Sequence, residues 1–133
     1  MKSEFTILIA DKNPHVRKFL EREMAAEGYG VKVAEKGRQV LEMAYRHEPL
    51  DLLLLDPDFA DIDGMTLLKK LQDRIPTLPV IIHAFADDYD STVADLIGVV
   101  FVEKRGSSIE HLKPVVEKML GQYFSGRSGE TQY

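Results

Sequence analysis

The hydrophobic residues of this chain fall into five short runs, and the segments between the runs carry apolar residues at helical spacing. The third run is the most distinctive, because four consecutive leucines, Leu52–Leu55, are followed directly by Asp56. An uninterrupted apolar run of this length is typical of a strand buried on both faces of a parallel sheet. Strands are predicted at residues 5–10, 31–34, 50–55, 80–83 and 99–103.

Helices are predicted between these strands. Asn13 and Pro14 suit the N-cap and the first position of a helix, and Gly28 suits the left-handed residue that ends it. Because the apolar positions that follow Pro14 recur every three or four residues, this helix is expected to bury one face. Further helices are predicted at residues 38–47, at residues 65–74 and, in a short and weak form, within residues 87–97.

The last helix has two possible starts. Residues 107–110, Ser-Ser-Ile-Glu, fit a capping box and would start the helix there, which places Pro114 inside it. The helix then either kinks at the proline or keeps a regular part only from about Lys113 to Tyr123. Residues 124–133 are rich in glycine, serine and charge. We therefore predict a domain of residues 1–123, followed by a flexible tail or the start of a linker.

The alternation of strands and helices predicts an α/β fold of the (βα)5 type, in which helices cover both faces of a parallel sheet. In such sheets ligands bind at the carboxyl edge of the strands. Asp11 follows the first predicted strand, Asp56 the third and Lys104 the fifth. Two acids and a lysine are therefore expected to meet at this edge.

Composition narrows the classes of function. The net charge of −5 argues against a nucleic-acid-binding surface, and the absence of cysteine excludes disulfides, zinc thiolate sites and thiol catalysis. The apolar runs are too short to span a bilayer, so a cytoplasmic protein without a membrane partner is expected. Packing or surface roles are expected for the four histidines, which lack metal-ligand spacing: His15, His47, His83 and His111.

These residues, in this order and at these element ends, resemble the receiver domain of two-component response regulators over about residues 4–123. Asp63-Gly64, after the acidic loop, matches a dipeptide common in that family, and Phe101 falls on its aromatic switch position. The resemblance implies a CheY-like, doubly wound, flavodoxin-like three-layer sandwich. Its five-stranded parallel sheet would have the order 2-1-3-4-5.

The resemblance also implies roles for the residues at the carboxyl edge. Asp56 would accept a phosphoryl group from a histidine kinase or phosphotransfer protein, and Lys104 would pair with a phosphoryl oxygen or with Asp56. Mg²⁺ would be held by Asp11, Asp56 and the backbone carbonyl of Asp58. A downstream protein would bind the face of the fourth helix, fifth strand and fifth helix, on a monomer or weak homodimer that is a signalling domain and not an enzyme.

Five positions depart from the family pattern. They are Lys12 in place of a second acid, Ala84 in place of a hydroxyl residue, Phe85 in place of a small residue, and Ala60 and Arg105 in place of prolines. The lysine places a positive charge where the metal ion would bind, unless it points to solvent or the Asp58 side chain turns inward. We therefore expect weak Mg²⁺ binding and slow phosphorylation. Without a hydroxyl at position 84, a phosphoryl group has one contact fewer with which to shift Phe101.

Two other functions stay open at this point. The departures at Lys12 and Ala84 fit a pseudo-receiver, which would bind proteins without the phosphoryl switch. Asp56-Pro57-Asp58 superficially resembles the DxD motif of haloacid-dehalogenase-type phosphatases. That family carries the motif on its first strand, however, whereas here it follows the third.

Overall fold

The computed structural model describes residues 2–46, 49–88, 96 and 98–131. The five strands are β1 (Thr6–Ala10), β2 (Gly30–Ala34), β3 (Leu52–Leu55), β4 (Val80–Ala84) and β5 (Val99–Glu103). The α-helices among these residues are α1 (Pro14–Ala26), α2 (Gly37–Tyr45), α3 (Gly64–Gln72) and α4 (Ser108–Thr131). All strands pair in parallel in the order β2-β1-β3-β4-β5, which confirms the predicted doubly wound α/β sheet.

The four leucines of β3 explain why this strand lies inside the sheet. Leu53 and Leu55 pack in a cluster with residues of α2 and α3, and Leu52 and Leu54 pack in a second cluster with residues of α1 and α4. Each of these leucines is at most 1% exposed. Burying a leucine fully stabilises the fold by about 1.5 to 3 kcal/mol. Burial of the strand on both faces, predicted from the run itself, is confirmed.

Helix α1 begins and ends as its sequence predicts. The Asn13 side chain accepts hydrogen bonds from the backbone N–H groups of His15 and Val16, at 2.9 and 3.4 Å. Pro14 is the first helical residue, where its missing N–H removes no helical hydrogen bond. Gly28 follows the helix with φ of +100°, a conformation that glycine adopts without steric cost.

The predicted boundaries differ from the observed ones mainly at helix ends. Helix α2 ends at Tyr45, and His47, its predicted last residue, lies outside the described residues. The weak helix predicted within residues 87–97 also lies largely outside them, apart from a 3-10 turn at Ala86–Asp88. Helix α4 therefore corresponds to the predicted fifth helix.

Helix α4 resolves the question of its starting point. It begins at Ser108, as the capping pattern predicts, and includes Pro114 in its second turn. The alternative, a regular helix from Lys113 only, is wrong, because residues 108–112 are already helical and the helix continues through Pro114, which removes one backbone hydrogen bond. The helix runs to Thr131, beyond the predicted end at Tyr123, and its later glycines weaken it without ending it. The division into residues 1–123 and 124–133 stays a prediction.

Among the residues that the structure describes, no helix is both long and apolar enough to cross a membrane.

Candidate functional site

The parallel register brings the ends of three strands together. Ala10 and Leu55 are register partners on β1 and β3, so the residues that follow them, Asp11 and Asp56, lie side by side at the carboxyl edge. The backbone N–H of Asp56 donates to the Ala10 carbonyl at 2.9 Å, and the N–H of Lys104 donates to the Ala84 carbonyl at 2.8 Å. The predicted meeting of two acids and a lysine is confirmed.

Lys104 bridges the two acids. Its Nζ donates to Asp11 Oδ2 at 2.9 Å and to Asp56 Oδ2 at 2.7 Å. Asp11 is 1% exposed, Asp56 6%, and the Lys104 side chain 11%. Burial lowers the pKa of the Lys104 ammonium, but the hydrogen bonds that it donates to Asp56 and Asp11 outweigh burial and raise that pKa above 10.5. Lys104 therefore stays charged and offsets part of the negative charge of the buried pair.

The remaining carboxylate oxygens of these acids are also hydrogen-bonded. Asp11 Oδ1 accepts from the backbone N–H of Asn13 at 2.8 Å, and Asp56 Oδ1 accepts from the N–H of Asp58 at 3.0 Å. Each of the four carboxylate oxygens thus has a donor from the protein. Buried carboxylates need such donors, because an unpaired charge in the interior is costly.

Lys12, the residue after Asp11, forms an exposed ion pair with Asp58. Lys12 Nζ donates to Asp58 Oδ2 at 2.7 Å, and both side chains are more than half exposed. This hydrogen bond and the charge of Asp58 raise the pKa of Lys12 above 10.5. Of the two outcomes considered for these side chains, the structure has the first: Lys12 is exposed to solvent, where it pairs with Asp58, and the Asp58 side chain is exposed as well. The extra lysine neutralises the nearest exposed acid.

Two of the residues that the resemblance assigns to a magnesium site, Asp11 and Asp56, lie side by side. Mg²⁺ prefers carboxylate oxygens and water, and Asp11 and Asp56 offer two adjacent carboxylates. An ion bound there would share both groups with Lys104 and would lie near the Lys12 ammonium. Within the described parts of the chain, no three or more histidine, cysteine or acidic side chains are grouped to hold a metal. The donor set thus fits Mg²⁺ with two acids and is opposed by two cations.

The two positions to which the resemblance assigns a switch, Ala84 and Phe101, belong to one side of the hydrophobic core. Ala84 ends β4, is 2% exposed and belongs to the core cluster against which the half-buried Phe101 packs. Phe85 is 56% exposed, and Lys104 Nζ lies 5.5 Å from the centre of its ring. This cation–π contact helps to hold the lysine over the acids. The contact between Lys104 and Phe85 was not predicted, although Phe85 itself departs from the family pattern.

The other two substituted positions lie at the surface. Ala60 is exposed in the loop after Asp56. Arg105 is exposed and donates two hydrogen bonds to the Glu103 carboxylate, at 3.0 and 3.1 Å. A guanidinium bound in this two-pronged way is already paired. Neither position adds a charge directly to the pair of buried acids.

His83, expected to have a packing role, is buried in the structure next to the switch position. It is 3% exposed, and its Nε2 lies 2.9 Å from the hydroxyl oxygen of Ser108 at the start of α4. Its Nδ1 is buried without a hydrogen-bond partner among the described residues. Burial, followed by the charge of Lys104, lowers the pKa of His83 to about 4. The imidazole is therefore neutral at pH 7.

We expect His83 to make the fold acid-sensitive. Its folded pKa of about 4 lies below the value of 6.5 taken for an unperturbed histidine. Because the unfolded chain binds the proton more tightly, this stability is present above pH 6.5 and is lost as the pH falls towards 4. The free energy of unfolding should fall by about 2 kcal/mol from pH 7 to pH 5 on this account. Urea denaturation across this pH range measures the loss.

The matched variants for this test are His83→Gln and His111→Gln, since His111 is an exposed histidine of α4. The first should flatten the pH dependence and the second should leave it as in the wild type. An equal slope in wild type and His83→Gln would show that another group carries the acid sensitivity.

Comparison with known proteins agrees with this arrangement of strand ends and charged residues. The model of the response regulator receiver domain family matches residues 7–112. The chain belongs to the response regulator receiver domain family. Receiver domains are signalling domains of two-component systems, and the CheY-like, flavodoxin-like fold predicted from the resemblance is confirmed.

Curated relatives are longer than this chain. The DNA-binding transcriptional regulator NtrC of Escherichia coli (strain K12) is 36% identical over 88 residues, which are 66% of this chain and 19% of NtrC. The response regulator MprA of Mycobacterium leprae is 33% identical over 90 residues, which are 68% of this chain and 39% of MprA. The chain therefore spans less than half the length of these relatives.

Solved structures share the fold. The receiver domain of the hybrid histidine kinase CckA is 31% identical, with a TM-score of 0.71, covering 86% of this chain and 98% of that one. The response regulator TrrA of Thermotoga maritima, solved in complex with Mg²⁺-BeF, has a TM-score of 0.72 at 24% identity, with the same coverage of both chains. The signal receiver domain of an HD domain-containing protein from Pseudomonas fluorescens Pf-5 has a TM-score of 0.81 at 18% identity. The match covers 93% of this chain and 92% of that one.

Proposed function

We propose that this receiver domain accepts a phosphoryl group on Asp56 from a histidine kinase or phosphotransfer protein, with Mg²⁺-dependent chemistry weakened by Lys12 and Ala84. The observation that carries the proposal is the Asp56 carboxylate at the carboxyl edge, paired with Lys104 at 2.7 Å. In the reaction, an Asp56 oxygen forms a bond to phosphorus while the bond to the donor nitrogen breaks. The donor's imidazole leaves with that electron pair.

The chain's own residues position and neutralise charge in this step. Lys104 already touches the acceptor and would move its ammonium to a phosphoryl oxygen, which becomes part of the acyl phosphate. The N–H of Asp58 holds the other Asp56 oxygen and so orients the attacking one. Mg²⁺, held by Asp11, Asp56 and the Asp58 carbonyl, would supply further neutralisation of the phosphoryl oxygens. Because we expect Lys12 to weaken Mg²⁺ binding, we also expect phosphoryl transfer to be slow.

The alternative is a pseudo-receiver that binds proteins independently of phosphorylation. One observation favours it: each oxygen of Asp11 and Asp56 already has a donor, while the cations Lys12 and Lys104 lie close by. The cluster is thus satisfied without a ligand. In either case we propose that a downstream protein binds the face that includes β5 and α4, on a monomer or weak homodimer.

One experiment separates these functions. The protein is incubated with phosphoramidate or acetyl phosphate and with Mg²⁺, beryllofluoride is bound in parallel, and Asp56→Asn is the control. Mass spectrometry should find an adduct on the wild type that Asp56→Asn lacks. No adduct at saturating donor would overturn phosphoryl acceptance in favour of the pseudo-receiver. Turnover of general phosphate esters would instead support a phosphatase.

A hydroxyl at position 84 should strengthen binding of a phosphoryl group. Ala84 is buried beside Lys104, whose backbone N–H bonds the Ala84 carbonyl. In Ala84→Thr a hydroxyl would donate to a phosphoryl oxygen, and one such bond is worth about a tenfold change in affinity. Titration with beryllofluoride in the presence of Mg²⁺ measures it.

The control is Ala84→Val, because valine has nearly the same shape as threonine without the hydroxyl. It should bind beryllofluoride no more tightly than the wild type. Equal affinities for the threonine and valine variants would show that the missing hydroxyl does not limit this site.

A further inference from the structure

The loop of residues 56–63 between β3 and α3, which we name the acceptor loop, is tied to a neighbouring helix by Asp61. Asp61 Oδ1 accepts a hydrogen bond from the backbone N–H of Gly37 at 3.0 Å, and Oδ2 accepts one from the N–H of Arg38 at 2.9 Å. Gly37 and Arg38 are the first two residues of α2. A side chain from a distant loop thus caps this helix.

Helix α2 has no cap of its own. Lys36 occupies its N-cap position, and its side chain makes no capping hydrogen bond. The first N–H groups of a helix have no partner within the helix, so they bind an acceptor from elsewhere. The hydrogen bonds from Arg38 and Gly37 lower the pKa of Asp61, which keeps the carboxylate ionised. The negative charge also suits the positive end of the helix.

Close packing seats the same loop on α2. Gly37 is buried, and a Cβ atom added to it would lie only 2.2 Å from Cγ2 of Ile62 and 3.4 Å from Cδ2 of Phe59. The first distance is far inside van der Waals contact, so only glycine allows the loop to approach this closely. The loop is therefore fixed to α2 by two hydrogen bonds and by side-chain packing.

The other part of the acceptor loop contacts Asp56. The backbone N–H of Asp58 donates to Asp56 Oδ1 at 3.0 Å, and the Asp58 side chain binds Lys12. Phe59, the next residue, is buried, and its N–H donates to the Pro57 carbonyl at 3.0 Å. Only two residues separate Asp58 from Asp61. The position of the Asp58 N–H thus depends on where Asp61 anchors the chain.

We propose that Asp61 is a positioning residue for the acceptor site: by capping α2 it holds the acceptor loop so that the Asp58 N–H orients the Asp56 carboxylate. This role of Asp61 rests on the proposed function only for its expected effect on the phosphorylation rate. The link between loop and helix is a property of the unphosphorylated protein and is tested there directly.

The test compares Asp61→Ala with Gln39→Ala in the full chain. Gln39 is the matched control, because its Oε1 accepts a hydrogen bond from the backbone N–H of Glu35, at 2.9 Å, just before the start of α2. Amide hydrogen exchange by NMR is followed at Gly37, Arg38 and Asp58. Asp61→Ala should lose protection at all three amides, whereas Gln39→Ala should keep it at Asp58. Asp61→Asn, which retains one accepting oxygen, should restore part of the protection.

Phosphorylation by phosphoramidate is the second readout. With Asp56 misplaced, the rate in Asp61→Ala should fall by about 10- to 100-fold, because small errors in alignment cost that much. In Gly37→Ala the added methyl group would clash with Ile62 and push the acceptor loop away from α2. This variant should therefore also lower the phosphorylation rate, although Asp61 is intact.

Unchanged Asp58 protection in Asp61→Ala, with protection lost at Gly37 and Arg38, would overturn the proposal and leave Asp61 as a helix cap only. An unphosphorylated wild type would contradict the proposed function instead, and the exchange data would still decide the role of Asp61.

Discussion

Replacing Lys104 by methionine is expected to lower the free energy of unfolding by about 3 to 5 kcal/mol at pH 7, the cost of removing one partner from a buried ion pair. Methionine keeps most of the side-chain volume, so the loss comes from charge. The variant leaves Asp11 and Asp56, which are 1% and 6% exposed, without the ammonium that bonds both. Urea denaturation at pH 7 measures the change.

The pH dependence of this effect has a definite sign. The folded-state pKa of Lys104 lies above its ordinary value of 10.5. Its stabilisation is therefore complete below pH 10.5 and is lost as the pH rises through the folded pKa. The difference between wild type and Lys104→Met should shrink in that range.

The chain offers a matched control in Lys113, which also bridges two carboxylates. Its Nζ lies 3.1 Å from Glu23 and 3.9 Å from Glu27, and all three side chains are a quarter to a third exposed. Lys113→Met should cost less than about 1 kcal/mol, as is typical of solvated pairs. Adding Asp56→Asn to Lys104→Met should recover part of the loss. Equal costs for the two lysine variants would mean that burial does not strengthen the Lys104 bridge.

Changing Lys12 to aspartate is expected to raise Mg²⁺ affinity by about 10- to 100-fold, because an acid replaces a cation at the metal position. Lys12 binds Asp58 in the wild type, so the variant also frees that carboxylate. The new carboxylate at position 12 would then face the ion with Asp11 and Asp56, and three acids are a donor set that suits Mg²⁺. Calorimetric titration with MgCl₂ at constant ionic strength measures the affinity.

Lys69→Asp makes the same change in charge elsewhere. Lys69 is exposed in the last turn of α3, at the end of that helix away from the Asp63 cap. It should leave Mg²⁺ affinity within about twofold of the wild type, because exposed charges at that distance are screened by salt. If Lys12→Asp binds the ion no more tightly than Lys69→Asp, the lysine is not what weakens the site.

Much of the fold was predictable because its signals are local. The leucine run of β3, the Asn13-Pro14 start of α1 and the capping pattern before Ser108 each depend on residues within one turn or strand. The C-terminal ends of α2 and α4 were predicted less well: α2 ends at Tyr45 and α4 continues to Thr131 past Gly121, a residue that weakens a helix without always ending it. The cap at the start of α2 was missed, because it comes from Asp61, 23 and 24 residues further along the chain.

The residues of the candidate site could be predicted from the sequence, but most of the hydrogen bonds between them could not. Strand ends of a parallel sheet share one edge, so Asp11, Asp56 and Lys104 were expected to meet before the geometry was known. The pairing of Lys12 with Asp58 was not predicted, because the rotamer of a long side chain decides which nearby acid it binds. The bond from His83 to Ser108 was also missed, although a histidine at the end of a buried strand was a signal that it needed a polar partner.

The sequence by itself determined the order of elements, the parallel sheet and the three charged groups at its edge, because periodicity, caps and strand ends are properties of short segments. Only the tertiary structure decided how those groups are satisfied. Lys12 and Asp58 are 46 residues apart, and His83 and Ser108 are 25 apart. Such contacts depend on the path of loops and on side-chain rotamers, which become fixed only when the sheet and helices pack.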